Sequence, residues 1–464
     1  MDSNVAIIMG GSIAGLLTAK VLSPHFSKIV ILDRDKLFNN SFLNNKEPRK
    51  GTAQAAHAHI LLKRGLVGFD NLLPGFTEKL KQSGAVSTNA TRDWQSLFPE
   101  GFLCRFNSDI NLLCQSRHLL ETTLRDFIIG STDNLEIIEC ASVTDVTLSV
   151  NKKPEIQYAL DNDIHKQTPD LLIDCTGRYT KSPSNLKKSG FGEVPALSIS
   201  PYLGYSTRTY KNVHIKDGYL STLIMAKDPI HTRGGVVLPI EGKQHIVTLF
   251  GFSRDYPPGE DSSYLAFAKS LRENTIYNAI KNAESTSDIK QFVKKESHFY
   301  QYSKLSTWPQ GFLVMGDAIS SFNPIYGQGI TTTITSAEIL KKQFQTQKNI
   351  SAIKLNSLQK KICNNYKLPW LIAKNEDLRW PATEGEKTNW ILKKAHTFSN
   401  MVARASTKNE SVNYTYYTVL HMMKSPVALL HPLTLYKIFK YGRSSNKDES
   451  FSSANENKSG EPLV

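Results

Sequence analysis

The sequence predicts a mixed α/β protein in which a parallel-sheet domain carries an inserted, mostly antiparallel sheet, and a helical region ends the chain. Three observations lead to this prediction. The first 33 residues follow the order strand, glycine turn, helix, strand and acid. Apolar and polar residues alternate over much of the range from about 204 to 252, which is typical of antiparallel strands. From residue 351 onward the spacing of apolar residues is helical.

The N-terminal turn has the form of a dinucleotide-binding motif. Buried strands at 5–9 and 28–32 flank a helix over 13–22, and the second strand ends on Asp33. Gly10 permits the tight turn, and Gly15 lets the helix pack closely on its strand. Free N–H groups at the helix N-terminus suit a pyrophosphate, and Asp33 is placed to accept from ribose hydroxyls. A chance glycine turn is the unfavoured alternative. The candidate residues of the turn are Gly10, Gly11, Ser12, Ile13, Ala14 and Gly15.

The helix from 117 to 129 and the buried strand from 171 to 175 carry further candidates. Arg117 opens the helix, where the helix dipole makes a cation slightly unfavourable unless an anion lies near. A surface arginine is an equally good interpretation. The strand leads from Asp174 to Gly177, and both are candidates for packing beside the nucleotide. A plain strand and turn is the alternative.

A second glycine-containing loop follows the last buried strand. The chain there contains Gly316-Asp317-Ala318 and then Asn323-Pro324-Ile325-Tyr326-Gly327-Gln328-Gly329 before a helix. Asp317 can accept from sugar-like hydroxyls. Backbone without a Cβ around Gly327 to Gly329 can approach a flat heterocycle. The alternative is a glycine-rich linker. The order of strand, acid, glycine loop and helix argues against this alternative.

The remaining elements complete the predicted organisation. Strands are predicted at 142–150, 155–160, 219–225, 235–239 and 244–252, and helices at 262–272, 329–344, 351–366 and 425–441. The nucleotide-binding domain comprises 1–80, 116–185 and 301–350, and the substrate domain comprises 81–115 and 186–300. The C-terminal helical region is 351–443, and the polar segment 444–464 is predicted to be disordered.

Composition bounds the function less sharply. The chain has 464 residues, and 56 Lys and Arg against 42 Asp and Glu give a net charge of +14. This charge suits an anionic cofactor, a membrane surface or nucleic acid, but no recognition motif supports nucleic acid. The five scattered cysteines indicate neither a disulfide framework nor a zinc site, and they favour a reducing, cytoplasmic compartment. We expect no signal peptide and at most peripheral membrane contact.

These motifs together resemble the FAD-dependent monooxygenases of the para-hydroxybenzoate hydroxylase type. The likeness covers about residues 5–345, and the G-D…N-P-x-x-G-Q-G segment is its most specific part. The N-terminal turn and the run from Pro48 to His59 look like a branch that contains polyene epoxidases and polyprenyl-phenol hydroxylases. The resemblance implies an FAD-binding, Rossmann-like domain of the glutathione-reductase type with an inserted substrate-binding sheet.

By this resemblance the residues already singled out become cofactor contacts. The N-terminal turn would hold the pyrophosphate of FAD, and Asp33, with its neighbour Arg34, would lie at the adenosine ribose. Further FAD contacts are Arg49 and Arg117. Asp317 would hold the ribityl and pyrophosphate region. The isoalloxazine would be lined by Pro324, Gly327, Gln328 and Gly329.

The resemblance also implies the reaction. Reduced FAD would react with O2 to give a C4a-hydroperoxide, whose distal oxygen passes to an apolar olefinic or aromatic substrate of secondary or isoprenoid metabolism. The chain shows no second G-x-G-x-x-G unit, so NADH or NADPH would bind transiently, or a separate flavin reductase would supply electrons. Many members carry an Asp-Gly pair where this chain has Asp174-Cys175-Thr176-Gly177. A flavin-dependent halogenase or reductase is the alternative, although the W-x-W-x-I-P signature is absent.

Substrate contacts are less clearly indicated. His57 and His59 are the best polar candidates, because alternate residues on a strand share a face. Ordinary surface or core histidines are the alternative, and a metal role would need a third ligand that the sequence does not place. We expect the antiparallel sheet at about 204–252 to form one wall of the substrate pocket. Its candidate lining residues are Tyr205, Tyr219, Leu223, Met225, Leu238 and Phe250.

Overall fold

A computed structural model describes residues 4–37, 50–347 and 353–443. Its strands are β1 (Val5–Met9), β2 (Lys28–Leu32), β3 (Val86–Asn89), β4 (Trp94–Phe98), β5 (Gly101–Phe102), β6 (Asn111–Cys114), β7 (Leu135–Ile138), β8 (Ser142–Thr147), β9 (Glu155–Leu160), β10 (Asp163–Gln167), β11 (Leu171–Asp174), β12 (Ala196–Ile199), β13 (Leu203–Lys211), β14 (Ser221–Ile224), β15 (Arg233–Ile240), β16 (Gln244–Gly251), β17 (Glu284–Ser285), β18 (Lys290–Lys294), β19 (Ser297–Tyr300), β20 (Phe312–Val314) and β21 (Ser320–Ser321). Its α-helices are α1 (Ile13–Leu22), α2 (Lys63–Leu72), α3 (Phe76–Gln82), α4 (Arg117–Ile129), α5 (Ser182–Lys188), α6 (Asp261–Lys269), α7 (Thr275–Ile280), α8 (Gln328–Thr346), α9 (Leu355–Asn365), α10 (Lys367–Asp377), α11 (Trp390–Ser406), α12 (Glu410–Leu420) and α13 (Pro432–Gly442).

A five-stranded parallel sheet has the order β20-β11-β1-β2-β7. Four of its strands, β1, β2, β11 and β20, are short apolar runs that are buried over most of their length, as parallel strands covered on both faces require. The edge strand β7 is only partly buried. Met9 is paired with Asp174, and Asp174 with Val314. The carboxyl ends of β1, β11 and β20 therefore lie side by side, and the segments that follow these three strands meet at one edge.

An eight-stranded sheet forms the second layer. Its order is β17-β13-β16-β15-β14-β4-β5, with β18 also paired to β13, and its pairs are antiparallel except β14 with β4. Alternation along the strands separates two faces. On β16, Val247 and Leu249 pack toward α6 and α7, whereas Thr248 and Phe250 point to the opposite face. That opposite face borders the cavity described below, which the 324–327 loop also lines.

The C-terminal region is helical, but its last helix differs from the prediction. The single helix predicted over 425–441 is wrong, because the chain forms a 3₁₀ turn at Pro426–Leu430 and then α13. His431 between them is extended, with φ −60° and ψ 135°. The residue before a proline is disfavoured in the helical region, whereas Pro432 itself fits the first helical turn.

The predicted strand at 57–59 is also wrong. Residues 57–62 form no regular element and follow a 3₁₀ segment at Lys50–Ala56. No helix of the described residues is long and apolar enough to cross a membrane. The Arg49 prediction and the predicted disordered tail at 444–464 lie outside the described residues.

Candidate functional site

The turn after β1 requires glycine at two positions. Gly10 has φ +102°, and a Cβ there would lie 2.6 Å from the carbonyl oxygen of Cys175. A Cβ at Gly15 would lie 1.8 Å from the carbonyl oxygen of Gly10. Both positions therefore require glycine, for a close approach of backbone to backbone. The helix that follows, α1, begins at Ile13, and the Ser12 side chain does not cap it. Its first N–H groups have no partner within the helix.

Asp33 lies beside this turn, as the motif predicts. Its carboxylate is buried and accepts from the N–H of Gly11 at 2.6 Å and from the N–H of Asp35 at 2.8 Å. A carboxylate at this position, at the end of the second strand and next to the glycine turn, is where dinucleotide-binding folds bind ribose hydroxyls. Arg34 is exposed, and its Nη2 is 3.6 Å from where a Cβ of Gly51 would stand.

Arg117 lies on the N-terminal turn, about a hundred residues away in sequence. Its Nη2 donates to Ser12 Oγ at 3.1 Å and to Glu121 Oε2 at 3.3 Å. The Glu121 carboxylate one turn further along α4 offsets the unfavourable position of a cation at a helix start. Two neighbours in the chain carry orphaned polar atoms. Both side-chain polar atoms of Gln115 and Nε2 of His118 are buried without a hydrogen-bond partner among the described residues.

Asp317 lies next to the same turn. Gly316 has φ +66°, and a Cβ there would be 2.8 Å from the Cβ of Ala14, so the two glycine motifs are in contact. Burial raises the pKa of Asp317, and Lys294, Arg117 and Arg178 oppose this shift. Three cations thus face the region where the motifs meet, and their positive potential suits an anionic group.

Asp174 holds the turn that follows β11. Its carboxylate accepts from the N–H and the hydroxyl of Thr176 at 2.8 and 2.6 Å, and from the hydroxyls of Thr180 and Ser182. Gly177 in this turn has φ +78° and lies opposite Asp317. With four donors already on its carboxylate, Asp174 stabilises the position of Gly177 within the site.

The second motif borders a cavity at the start of α8. Gly327 has φ +66°, and a Cβ there would lie 3.3 Å from the carbonyl oxygen of Ile60. Gln328 Oε1 and Thr331 Oγ1 are buried and have no hydrogen-bond partner in the described part of the chain. Buried polar atoms are almost always satisfied in proteins, so orphaned ones at this position indicate a missing polar partner.

The cavity has an empty volume of about 600 Å³, which includes space open to solvent. Three regions contribute to it: the 54–60 segment, the eight-stranded sheet and the 324–327 loop. Its lining residues are Gln54, His57, Ala58, His59, Ile60, Tyr205, Leu223, Val236, Thr248, Phe250, Phe292, Pro324, Ile325 and Gly327. Small-molecule sites are concave and have this mostly apolar lining with a few polar groups. The predicted lining residues Tyr219, Met225 and Leu238 do not contribute to it.

Both candidate histidines border this cavity, although not as neighbours on a strand. His57 Nδ1 is 2.7 Å from Thr207 Oγ1, and Thr207 is hydrogen-bonded to Thr248 at 2.7 Å. Burial lowers the pKa of His57 to about 4. His59 Nδ1 is 2.7 Å from the carbonyl oxygen of His57, and burial together with the nearby Arg117 lowers the pKa of His59 to about 3. Both rings are therefore neutral near pH 7.

The neutral state of His57 is a testable prediction. We expect its imidazole resonances to show no titration above about pH 5, because the ring is buried and its hydrogen-bond partner Thr207 is uncharged. A ¹⁵N-detected NMR titration measures this, and the His57→Gln variant identifies the signal. A resonance that titrates near the ordinary histidine value and disappears in His57→Gln would contradict the assignment.

Sequence reasoning missed a buried polar network beside the cavity. Asp377, at the end of α10, accepts on Oδ1 from Asn323 Nδ2 at 2.7 Å and from the hydroxyl of Tyr326 at 2.8 Å. The hydroxyl of Tyr205, in the cavity wall, donates to Asn323 Oδ1 at 3.3 Å. Burial raises the pKa of Asp377 to about 7. Asn323 belongs to the predicted motif, but no sequence signal connects it to a carboxylate 54 residues later.

Lys294 was missed as well. This buried residue ends β18 and donates from Nζ to Ser321 Oγ at 2.9 Å. Burial lowers its pKa to about 8, and the charge of Asp317 opposes the shift. A lysine at the end of an ordinary polar strand carries no sequence signal of burial. Within the described residues, no group of three or more His, Cys, Asp or Glu side chains could hold a metal ion.

Comparison with known proteins supports the fold. No family model matches the chain. Protein Rv3254 of Mycobacterium tuberculosis is 26% identical over 356 residues, which cover 74% of this chain and 73% of that protein. The flavin-dependent brominase Bmp2 aligns with a TM-score of 0.61 at 13% identity and covers 90% of this chain and 92% of its own.

Two further solved structures are similar. PqsL of P. aeruginosa in complex with 2-aminobenzoylacetate has a TM-score of 0.60 at 15% identity, over 81% of this chain and 95% of PqsL. A flavoprotein/dehydrogenase from Cytophaga hutchinsonii has a TM-score of 0.62 at 13% identity, over 93% of this chain and 96% of its own. These likenesses confirm the predicted fold class: the chain has the mixed α/β fold of FAD-binding monooxygenases.

Proposed function

We propose that this protein binds FAD and acts as a monooxygenase that transfers one oxygen atom from O2 to an apolar olefinic or aromatic small molecule. One observation carries the proposal. The loop that contains Pro324 and Gly327 borders the apolar cavity, and the same motif contacts the N-terminal turn through Gly316 and Ala14. A cofactor that extends from the N-terminal turn to this loop would have its phosphates at the start of α1 and its ring at the cavity.

The residues present fit FAD. The glycine turn at Gly10–Gly15 and the first N–H groups of α1 would hold the pyrophosphate, with Arg117 beside them. Asp33, with Arg34 next to it, would hold the adenosine ribose, and Asp317 the ribityl chain. The orphaned Gln328 Oε1 would gain a polar partner at the ring. When bound and reduced, the flavin supplies the activation of O2.

The protein's own residues would orient the substrate and exclude water. Leu223, Val236 and Phe250 supply an apolar wall, and the hydroxyl of Tyr205 is held by Asn323. The neutral His57 adds a polar edge without a charge to attract water. An olefin needs no protein base, so this cavity suits epoxidation of a polyene or isoprenoid, the reaction of the polyene epoxidase branch. A phenol, as used by polyprenyl-phenol hydroxylases, would place its hydroxyl toward Tyr205 or His57.

The test begins with the purified protein. We expect flavin absorption bands and release of FAD on denaturation, and then O2 uptake that a lipophilic olefin or phenol stimulates in the presence of NADH or NADPH. Mass analysis with isotopically labelled O2 should find one labelled oxygen atom in the product. If NADH and NADPH fail but a flavin reductase restores turnover, a separate reductase is the electron donor. A folded protein that binds no FAD would refute the proposal.

A flavin-dependent halogenase is the second candidate. Its support is the likeness to the brominase Bmp2, whose TM-score is as high as that of PqsL. The same product analysis, repeated with bromide or chloride, separates the two functions. A product that carries halogen and no labelled oxygen would establish the halogenase.

A further inference from the structure

An exposed apolar strip runs along the last two described elements. It comprises side chains of the Pro426–Leu430 turn and of α13 that are between 45% and 69% exposed. The members of this apolar strip are Val427, Leu430, Leu433, Tyr436 and Phe439. Surface helices normally place polar residues outward, so five large apolar side chains along one exposed face need a covering partner.

The structure fixes α13 with this face outward. Ile438 and Gly442 are buried on the opposite face. Gly442 packs so tightly that a Cβ there would lie 2.4 Å from the carbonyl oxygen of Met401, and its own carbonyl accepts from Arg404 Nη1 at 3.2 Å. Since the inner face of α13 is already packed on α11, the helix cannot bury the apolar strip by rotating about its axis.

The surroundings of the strip are strongly basic. Residues 387–443 contain nine Lys and Arg and a single acid, Glu410, so this eighth of the chain carries +8 of the net +14. Lys440 is exposed on α13, two turns after Leu433 and one turn after Tyr436, so it shares their outer face. Arg443 is also exposed and follows directly after the last residue of α13. Lys440 Nζ lies 6.0 Å from the centre of the Tyr436 ring.

Apolar side chains flanked by cations on an exposed helix face are the features of an interfacial membrane helix. We propose that the apolar strip docks this protein on an anionic lipid surface, with Leu433, Tyr436 and Phe439 entering the headgroup boundary and Lys440 and Arg443 contacting lipid phosphates. A second copy of the chain is a poorer partner, because the basic residues beside the two apolar strips would repel one another. Each Lys or Arg near the surface of an anionic membrane contributes roughly 1 kcal/mol to the binding free energy.

The strip is also connected to the cavity wall. Tyr416 of α12 packs both in the cluster that contains cavity-lining Ile60 and in the cluster that contains Ile438 of α13. Docking through α13 would thus bring α12, which packs beside the cavity wall, close to the membrane. An apolar substrate could enter the cavity from that membrane. The docking itself does not depend on the proposed function, since its test measures binding and not turnover.

The experiment is co-sedimentation of the full chain with vesicles of phosphatidylcholine, with or without phosphatidylglycerol. We expect binding to the anionic vesicles alone, and weaker binding at high salt. The triple variant Leu433→Ser, Tyr436→Ser, Phe439→Ser should lose at least about tenfold in affinity, and Lys440→Gln with Arg443→Gln a similar amount. The apolar control is Ile164→Ser with Ile230→Ser, two exposed apolar residues elsewhere, and the charge control is Lys152→Gln with Lys216→Gln. Both controls should bind like the unmodified chain.

Several outcomes would overturn the proposal. One is the absence of binding to either vesicle by a folded chain. Another is anionic binding that the triple variant does not weaken, which would assign adsorption to the overall charge. A dimer in analytical ultracentrifugation that the triple variant dissociates would assign the apolar strip to a second copy. Vesicle binding that appears only after removal of residues 444–464 would show that this segment, and not a membrane, covers the apolar strip in the full chain.

Discussion

Replacing Gly10 with alanine is expected to abolish FAD retention, with an affinity at least about a hundredfold lower. Gly10 has φ +102°, and the added Cβ would lie 2.6 Å from the carbonyl oxygen and 2.9 Å from the carbonyl carbon of Cys175. Both contacts are backbone atoms at the end of β11, so no side-chain rotation relieves them. The turn must shift, and with it the N–H groups of α1 that would hold the pyrophosphate. This prediction rests on the proposed function.

Gly75 provides the matched control for this substitution. It also has positive φ, +84°, but a Cβ there would meet no atom within 4 Å. Gly75→Ala therefore carries the same kind of backbone strain, about 1–2 kcal/mol, without the clash. FAD retained after gel filtration and the dissociation constant from a flavin titration measure the effect, and circular dichroism shows whether each variant is folded. Equal FAD retention by the Gly10 and Gly75 variants would contradict the assignment of the turn.

The second large effect concerns Asp377. Its pKa is raised by burial from 3.8 to about 7, so the folded protein holds this proton more tightly than the unfolded chain does. Between about pH 4 and pH 7 the unfolded chain has released the proton while the folded protein keeps it, and stability contributed by this group falls as the pH rises. Above pH 7 the full cost of a buried carboxylate remains, up to about 4 kcal/mol.

Asp377→Asn is therefore expected to stabilise the protein at high pH. The amide oxygen can still accept from Asn323 and Tyr326, and an uncharged group costs less to bury than a carboxylate. The free energy of unfolding in urea should exceed that of the unmodified chain by about 2–4 kcal/mol near pH 8, and by much less near pH 5. Lys294 attracts the carboxylate and Glu376 repels it, and both charges remain in the variant.

The alanine variant separates charge from hydrogen bonding. Asp377→Ala leaves the Asn323 amide and the Tyr326 hydroxyl without their acceptor, which costs about 1–3 kcal/mol for each group at either pH. We expect Asp377→Ala to be destabilised near pH 5, where Asp377→Asn resembles the unmodified chain. Parallel curves of stability against pH for the unmodified chain and Asp377→Asn would show that the carboxyl titrates at its ordinary value.

Local patterns accounted for most of the nucleotide-binding layer. The strands at 5–9 and 28–32 and the helices at 13–22 and 117–129 have the predicted bounds. Such elements are encoded by short-range features, since a run of buried β-branched residues or a glycine turn before an amphipathic helix has few alternative structures. The resemblance to FAD-dependent monooxygenases also implied that the N-terminal turn and Asp317 would contact the same cofactor. The break at His431 was missed, although Pro432 provides a local signal for it.

The cavity and its polar neighbours depended on contacts between distant parts of the chain. Asp377 lies beside Asn323 because α10 packs against the loop before α8, and Lys294 is buried because β18 ends there. Neither residue type nor spacing in the sequence predicts that Asp377 and Lys294 are buried. The same holds for the exposed face of α13, whose apolar residues would have suited a core helix equally well. The sequence by itself thus determined the helices, the strands and the glycine turns between them. Only the tertiary structure decided which side chains are buried, and with that the shifted pKa values and the exposure of the apolar strip. The reason is that burial depends on which surfaces the folded chain brings together.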